Sequence, residues 1–312
     1  MALSPEVIDR LVFSAGKEDY RWADVVRAAE LWGRWDELRR ETANGLAALQ
    51  RLAEPIDESE LAEAAQAFRY ARSLLAAEEM QAWLDHWGLS HGGWTAYLRR
   101  SIARGRGEQS GSEIEAGEDD VWAEAVCSGA LAELARDLAA RAATADAAGT
   151  PPGPVESDLG RMDDVLTAFL QAALTPEARA KTVELRSSDW VRLAFRELDF
   201  PDDAMAREGA LLVREDGLSM AQVAERARVE LHERHALVEE VEPSLSKTLL
   251  SAPPGELVGP VSMGDRFLLI QLDEKVVPGL DDPVIQDLVE REVPKKALER
   301  EVRNRVRWHE RL

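Results

Sequence analysis

Two histidines with acidic neighbours are the residues whose spacing most suggests metal chemistry. His232 and His235 lie three residues apart, beside Glu230 and Glu233. On a helix this spacing could hold a metal ion with two imidazoles on one face. No third ligand accompanies the pair, so the pattern favours a solvated helix face. We therefore expect neither a metal nor any other cofactor.

The single cysteine, Cys127, is the other side chain with nucleophilic chemistry. It lies in an apolar helical stretch, which predicts a small core residue rather than a nucleophile. One cysteine excludes an internal disulfide and a Cys-based zinc cluster, a usage typical of the cytosol. The sequence also lacks a Gly-rich phosphate loop and a Gly-x-Ser-x-Gly elbow.

The charge balance argues against nucleic acid as a partner. The formal net charge is −21, and such a chain repels phosphate backbones unless it carries a strong basic patch. Basic residues are interspersed with acids, as in the run 299–301. Residues 218–229 superficially resemble a helix-turn-helix, but no basic second helix follows.

Membrane association is not expected either. No run of about 18 apolar residues is present. The first 20 residues mix Glu6, Arg10 and Lys17 with apolar side chains, which is not the pattern of a secretory signal. We expect a cytoplasmic protein.

The first part of the chain, residues 1–145, predicts a helical domain. Apolar residues recur at helical spacing, for example from Met80 to Trp87. Gly88 is expected to end that helix and Ser90 to cap the next. The acidic run 107–120 predicts a loop. Tryptophans on such stripes predict core positions, although a Trp-rich concave surface facing a peptide would also fit.

The second part predicts a small α+β unit. Period-two alternation predicts a strand over Trp190–Phe200, and an apolar run predicts another over Arg266–Lys275. Between them we predict helices, the last over Leu231–Leu250 with an interruption at Pro243. A C-terminal helix is expected to start at Asp282 and to kink or restart at Pro294.

These elements give the following predicted organisation. The fold class is α+β, and the segments are a helical domain 1–145, a linker 146–160, a connecting helix 161–186, a small α/β domain 187–277 and a C-terminal helix 278–312 that packs back.

Three segments resemble parts of two known families. Gly255-Glu256-Leu257-Val258-Gly259-Pro260-Val261, followed by Gly264 and an apolar strand, resembles the closing signature of PpiC-type parvulin domains. Asp216-Gly217-Leu218-Ser219-Met220-Ala221-Gln222-Val223-Ala224 resembles the helix start of the same family. Residues 69–102 resemble part of the helical domain of SurA-type folding factors. The layout is also similar to that of cytosolic PpiC-related proteins thought to assist peptide maturation.

The resemblance to parvulins implies a cleft with two histidines on adjacent central strands of the sheet. One histidine would fall near Phe195, and the other at Asp265 or Arg266. Neither position holds a histidine here, and a charged helix predicted over 230–240 replaces the family's Gly-Gly loop. We therefore assign no catalytic residue and expect little prolyl isomerase activity.

Peptide binding could persist without those histidines. Phe195, Met263 and Phe267 could line an apolar groove, with Asp265 and Arg266 beside it, and a free strand edge could pair with an extended segment. For each of the three apolar residues taken alone, ordinary core is the favoured interpretation. The expected partner is a peptide or an unfolded protein segment, and a ribosomal precursor peptide is one such partner. The alternatives are a divergent but active prolyl isomerase and a scaffold for a large protein partner.

Overall fold

Residues 5–106 and 114–312 are described by the computed structural model. The chain forms two units, one of Met1–Gln171 with Ala297–Leu312 and the other of Ala172–Lys296. Helices and antiparallel sheets occur together, so the α+β class is confirmed. Part of the predicted 107–120 loop, residues 107–113, lies outside the described residues.

The elements of the first 173 residues are these, in chain order: α1 Pro5–Ile8, β1 Leu11–Ala15, β2 Glu18–Arg21, α2 Trp22–Leu31, α3 Arg34–Arg51, α4 Glu58–Ala71, α5 Ala77–Trp87, α6 His91–Arg106, α7 Glu118–Ser128, α8 Ala130–Ala147 and α9 Val155–Ala173.

The remaining elements follow: α10 Pro176–Leu185, β3 Arg192–Phe200, α11 Asp203–Arg214, α12 Met220–Ala227, β4 Leu231–Leu237, a 3-10 turn Val238–Glu240, α13 Pro243–Ser251, β5 Leu257–Met263, β6 Arg266–Val276, α14 Pro283–Arg305 and β7 Val306–Trp308.

Helix ends follow the predicted signals. Gly88 ends α5 in the left-handed conformation at φ 62°, and the Ser90 hydroxyl accepts the Gly93 N–H at 3.0 Å. The Asp282 carboxylate accepts the Val284 N–H at 3.0 Å at the start of α14. These short-range predictions are confirmed because a cap involves only neighbouring residues.

The first unit contains a small sheet in addition to the helices predicted for residues 1–145. Its strand order is β2-β1-β7, and Phe13 of β1 pairs with Tyr20 of β2 and with Trp308 of β7. The Phe13 and Tyr20 rings stack with centroids 4.7 Å apart. Strands of five, four and three residues are too short to establish a period in the sequence.

Tryptophans fill the core of the first unit, as predicted from the helical stripes. The fully or almost fully buried ones are Trp22, Trp35, Trp87, Trp94 and Trp122. The Trp122 indole N–H donates to the carbonyl of Trp87 at 3.0 Å, so this ring is both buried and satisfied.

Three helices of the first unit meet around a buried arginine. Arg100 of α6 is fully buried and donates to the Asp120 carboxylate at 2.6 Å. Glu124 of α7 is 2% exposed and receives a hydrogen bond from Arg104 at 2.6 Å. A Cβ on Gly45 of α3 would lie 3.1 Å from the Arg100 side chain, so α3 approaches at a glycine.

The second unit is built on a four-stranded antiparallel sheet of order β4-β3-β6-β5. Leu193 and Phe195 of β3 pack on one face, in a cluster with Leu245 and Leu249 of α13. Leu198 and Phe200 pack in a second cluster with α11 and α12. The sheet therefore has helices on both faces, each covering a different end of β3.

Gly259 has a local reason to be glycine in the turn-rich motif. Its φ is 114°, and a Cβ there would lie 2.6 Å from the carbonyl oxygen of Leu268. The pairing of β5 with β6 is irregular between Val258 and Val261. A side chain would therefore be strained and would push β5 off its neighbour.

The segment predicted as a helix from residue 231 is wrong in its first half. Residues 231–237 form β4, and a helix begins only at Pro243. Four consecutive side chains of β4, from His232 to His235, are exposed. Because polar residues occupy both faces of this edge strand, no alternation marks it.

The C-terminal segment also differs from its prediction. α14 is assigned continuously from Pro283 to Arg305 with Pro294 inside it, so no restart occurs. Residues 306–308 then form β7 rather than helix. The predicted linker 146–160 and connecting helix 161–186 correspond to the end of α8, a seven-residue gap after Ala147, α9 and the separate helix α10.

Candidate functional site

The predicted apolar groove residues lie on different surfaces of the sheet. Phe195 is 3% exposed and belongs to the cluster formed with α13. Phe267 packs instead against the cluster formed with α11 and α12. The structure therefore does not bring Phe195 and Phe267 into one groove.

The other predicted site residues meet at the tip of the β5–β6 hairpin. Met263 pairs with Arg266 across the hairpin, and Asp265 is exposed in the turn between them. The Arg266 guanidinium donates to the Asp199 carboxylate at 2.6 Å. The Arg266 side chain is thus already paired with a carboxylate.

The two central strands carry no histidine. β3 and β6 are adjacent in the middle of the sheet, which is the relation that the resemblance to parvulins implies for histidine-bearing strands. All five histidines lie elsewhere in the described chain: His86 on α5, His91 on α6, His232 and His235 on β4, and His309 after β7.

The helical metal pair of the sequence analysis is not formed. Side chains three residues apart on a strand project from opposite faces, so His232 and His235 of β4 do not converge. No group of three or more His, Cys, Asp and Glu side chains in residues 5–106 and 114–312 could hold a metal ion. Cys127 is 1% exposed, consistent with a core thiol.

β4 forms one outer edge of the sheet and directs backbone groups outward. The Val238 N–H donates to the Val191 carbonyl at 3.0 Å. Backbone groups alternate between inward and outward along an antiparallel ladder. Those of Leu237, His235 and Glu233 therefore point away from β3.

The outward groups of β4 are only partly used. The Leu237 N–H donates to the Glu240 carboxylate at 2.8 Å. Within the described residues, the outward N–H and C=O groups of Glu233 and His235 have no hydrogen-bond partner. They form a short template on which another strand could pair.

A cross-strand ion pair holds this edge in place. The Glu197 carboxylate of β3 is 8% exposed and accepts a hydrogen bond from Arg234 of β4 at 3.0 Å. His232 pairs with Glu197 in the same register. The edge strand is therefore fixed to β3 by a side-chain contact as well as by the ladder.

A cavity of about 420 Å³ opens beside this edge. Its floor consists of two rows of side chains that run across β4, β3 and β6. The first row is His235, Ala194 and Glu274, and the second is Leu237, Arg192 and Val276. Glu240, Val284, Leu193 and Ala236 also line the cavity.

The cavity has an acidic balance. Arg192 is bound to Asp282 at 3.0 Å, so its charge is already neutralised. Glu274 is exposed and has no hydrogen-bond or ion-pair partner among the described residues. Glu240 carries the second carboxylate of the lining.

The sequence does not reveal the residues that line this cavity, because residues 230–240 predict a helix. In a helix, His235 and Glu240 would lie on a solvated face, far from β6. The signal that could have identified an edge strand is a charged run, residues 232–235, bounded on each side by apolar residues such as Val229 and Leu237.

The first unit contains a second concave surface, of about 410 Å³, between α4 and α6. Tyr70 and Leu75 at its rim are 61% and 64% exposed. Trp94 at its base is buried, and its indole nitrogen has no hydrogen-bond partner within the described structure. The residues that line it are mostly apolar, and they lie on helices and a connecting segment rather than on a strand edge.

Among the described residues, no helix combines the length and the apolarity needed to cross a membrane.

No family model matches the sequence, and no curated protein is significantly similar to it. Among solved structures, the chain is similar to the foldase protein PrsA from Streptococcus pneumoniae, at 10% identity and a TM-score of 0.30, over 93% of this chain and 91% of that one. PrsA from Lactococcus lactis gives 8% identity and a TM-score of 0.29, over 96% and 95% of the two chains. A structure describing the SurA-like chaperones PEB4 and periplasmic Cj1289 of Campylobacter jejuni gives 7% identity and a TM-score of 0.22, over 96% and 99%. These values are too low to place the chain in a family.

Proposed function

We propose that this protein is a chaperone-like module that binds extended peptide segments at the edge of β4 without efficient prolyl isomerisation. The observation that carries the proposal is the pair of outward, unpartnered backbone positions Glu233 and His235 beside an open cavity. Main-chain pairing supplies affinity for any extended segment, and a neighbouring pocket supplies selectivity.

The opposite edge of the sheet is a poorer template. β5 contains Pro260, which has no N–H to donate, and its pairing is irregular between Val258 and Val261. Such features block edge-to-edge pairing. β4 has neither proline nor bulge in its pairing with β3, which favours it as the binding edge.

The central strands support holding a peptide rather than rotating a proline. Prolyl rotation crosses a barrier of about 18–20 kcal/mol, and the resemblance to parvulins places histidines where this chain has Phe195 and Asp265 or Arg266. Phe195 is core and Arg266 is paired with Asp199. A buried phenyl ring and an arginine held in an ion pair favour holding a peptide over stabilising a twisted amide.

The proposed client is an unfolded protein segment or a ribosomally made precursor peptide in the cytoplasm. The single buried cysteine and the acidic net charge support an intracellular, non-nucleic-acid partner. A gene for a small precursor peptide next to the gene for this chain would support the narrower client class.

The test compares two substitutions at one edge position. Glu233→Pro removes the outward N–H, and an edge strand tolerates proline there. Glu233→Ala removes the side chain but keeps the N–H. We expect the proline variant to bind a fluorescent extended peptide roughly tenfold more weakly than the alanine variant, measured by fluorescence anisotropy.

Circular dichroism of both variants serves as the folding control. Equal peptide affinity of the two folded variants would refute binding at β4. A protease-coupled prolyl isomerisation assay on the wild-type protein tests the enzyme alternative. If the wild-type protein catalyses isomerisation and Met263→Ala abolishes this activity, the protein is an isomerase rather than a peptide-holding module. Failure to bind any extended peptide would favour a scaffold for a large partner.

A further inference from the structure

The floor of the cavity sets which side chain of a bound peptide could enter it. Residues directly opposite each other on paired strands project from the same face. A peptide paired to β4 would therefore place one side chain beside His235, in line with Ala194 and Glu274. This row crosses three strands and continues into the cavity.

The small side chain of Ala194 leaves a gap in the floor of the cavity between His235 and Glu274. Neighbouring strands lie about 4.8 Å apart, so His235 and Glu274 are separated by about 10 Å across the small alanine. Val276 and Val284 provide apolar surface next to this gap, and Val284 is 45% exposed. An entering side chain would pass His235 and then lie against this apolar surface.

Two carboxylates flank that path, one at each side of the cavity. Glu240 lies at the β4 edge, where it accepts the outward Leu237 N–H. Glu274 lies at the β6 end of the floor row, and its side chain has no hydrogen-bond or ion-pair partner among the described residues. Among the described lining residues, the arginine Arg192 is bound to Asp282. The walls therefore complement a positive charge.

We infer that the cavity selects a lysine or arginine side chain of the peptide bound to β4. Both have a long aliphatic stem that covers apolar surface and a cationic end that reaches carboxylates. This inference rests on the proposed function and narrows its clients to extended segments with a basic residue.

The experiment uses two labelled peptides of alternating valine and threonine, identical except for a central lysine or norleucine. Norleucine keeps the aliphatic stem and removes the charge. We expect the full-length protein to bind the lysine peptide roughly fivefold more tightly than the norleucine peptide, as a partly exposed charge-assisted contact allows. Dissociation constants come from fluorescence anisotropy.

The double variant Glu240→Gln/Glu274→Gln tests the two carboxylates together. Glutamine keeps an oxygen that can accept the Leu237 N–H, so the fold of the edge is preserved. The matched control, Glu208→Gln/Glu215→Gln, removes the same charge from exposed positions on and just after α11. We expect the lysine preference to disappear in the first variant and to persist in the control.

Each outcome is decisive. Equal binding of the two peptides by the wild-type protein, or a preference that survives in the cavity variant, would overturn the inference while leaving peptide binding intact. Loss of the preference in the control as well would assign it to net charge rather than to the cavity. If neither peptide bound, the proposed function itself would fail.

Discussion

Burial determines the chemistry of Cys127. Its side chain is 1% exposed, and burial, with a smaller contribution from Glu124, raises the pKa of the thiol from 9.0 to about 12, although Arg72 opposes the shift. The thiol is thus held in its neutral, unreactive form. A role as nucleophile would require a lowered pKa and an exposed sulfur.

This raised pKa predicts a specific loss of stability in alkali. Above pH 9 the unfolded thiol ionises while the folded one keeps its proton up to about pH 12, so stability present below pH 9 falls as the pH rises. Between pH 8 and pH 10 the loss from this group is about 1.4 kcal/mol. Urea unfolding of the wild-type protein and Cys127→Ala at both pH values measures it, and an equal loss in the two proteins would contradict the prediction.

At the scale of elements, the buried ion network fixes α6 against α7. Removing Glu124 would leave the fully buried Arg100 and its neighbour Arg104 without that carboxylate. Breaking one side of a buried ion pair costs about 3–5 kcal/mol, and we expect Glu124→Ala to destabilise the protein by that amount in urea unfolding.

A second glutamate on α7 gives the matched control. Glu118 pairs with Arg39 at 2.8 Å, but both side chains are well exposed. Glu118→Ala should therefore cost less than about 1 kcal/mol. Similar losses from the two substitutions would mean that burial does not determine the strength of the network.

The predictability of each element depended on whether its pattern was local. β3 and β6 were predicted to within two residues because alternation or an apolar run marks them. β4 was missed because its polar side chains lie on both faces. Arg99, Arg100 and Arg104 look alike in the sequence, yet only Arg100 is fully buried, which depends on helices distant in the chain.

The candidate site was still less predictable than the fold. Glu274 comes into line with Ala194 only because the pairing of β3 with β6 shifts between Ala194 and Phe195. A shift of one residue exchanges the faces of a strand, and no pattern within β6 alone reveals it. Phe267 pairs with Phe200, five residues along β3 from Phe195, so alternation alone puts Phe195 and Phe267 on opposite faces.

At the scale of the whole molecule, β7 completes the sheet of the first unit. Trp308 packs on Phe13 with ring centroids 5.3 Å apart, and the His309 N–H donates to the Val12 carbonyl at 2.9 Å. Removing residues 306–312 would leave β1 with an open, apolar edge. We expect this truncation to lower the unfolding temperature and to promote aggregation, measured by thermal unfolding with light scattering.

Arg307→Ala is the control for that truncation. Arg307 is exposed, and the substitution keeps the backbone of β7. Its melting temperature should stay close to that of the wild-type protein. A truncated protein as stable and as monodisperse as Arg307→Ala would show that β7 is dispensable.

The position of β7 in the chain has a consequence for biosynthesis. A ribosome makes β1 before the second unit, and it makes the entire second unit before Val306–Trp308. Because domains generally fold as units during synthesis, the second unit can fold on the nascent chain before the first is complete. The side of β1 that pairs with β7 stays unpaired until β7 has been made. During that interval the protein is itself a candidate client for a folding factor.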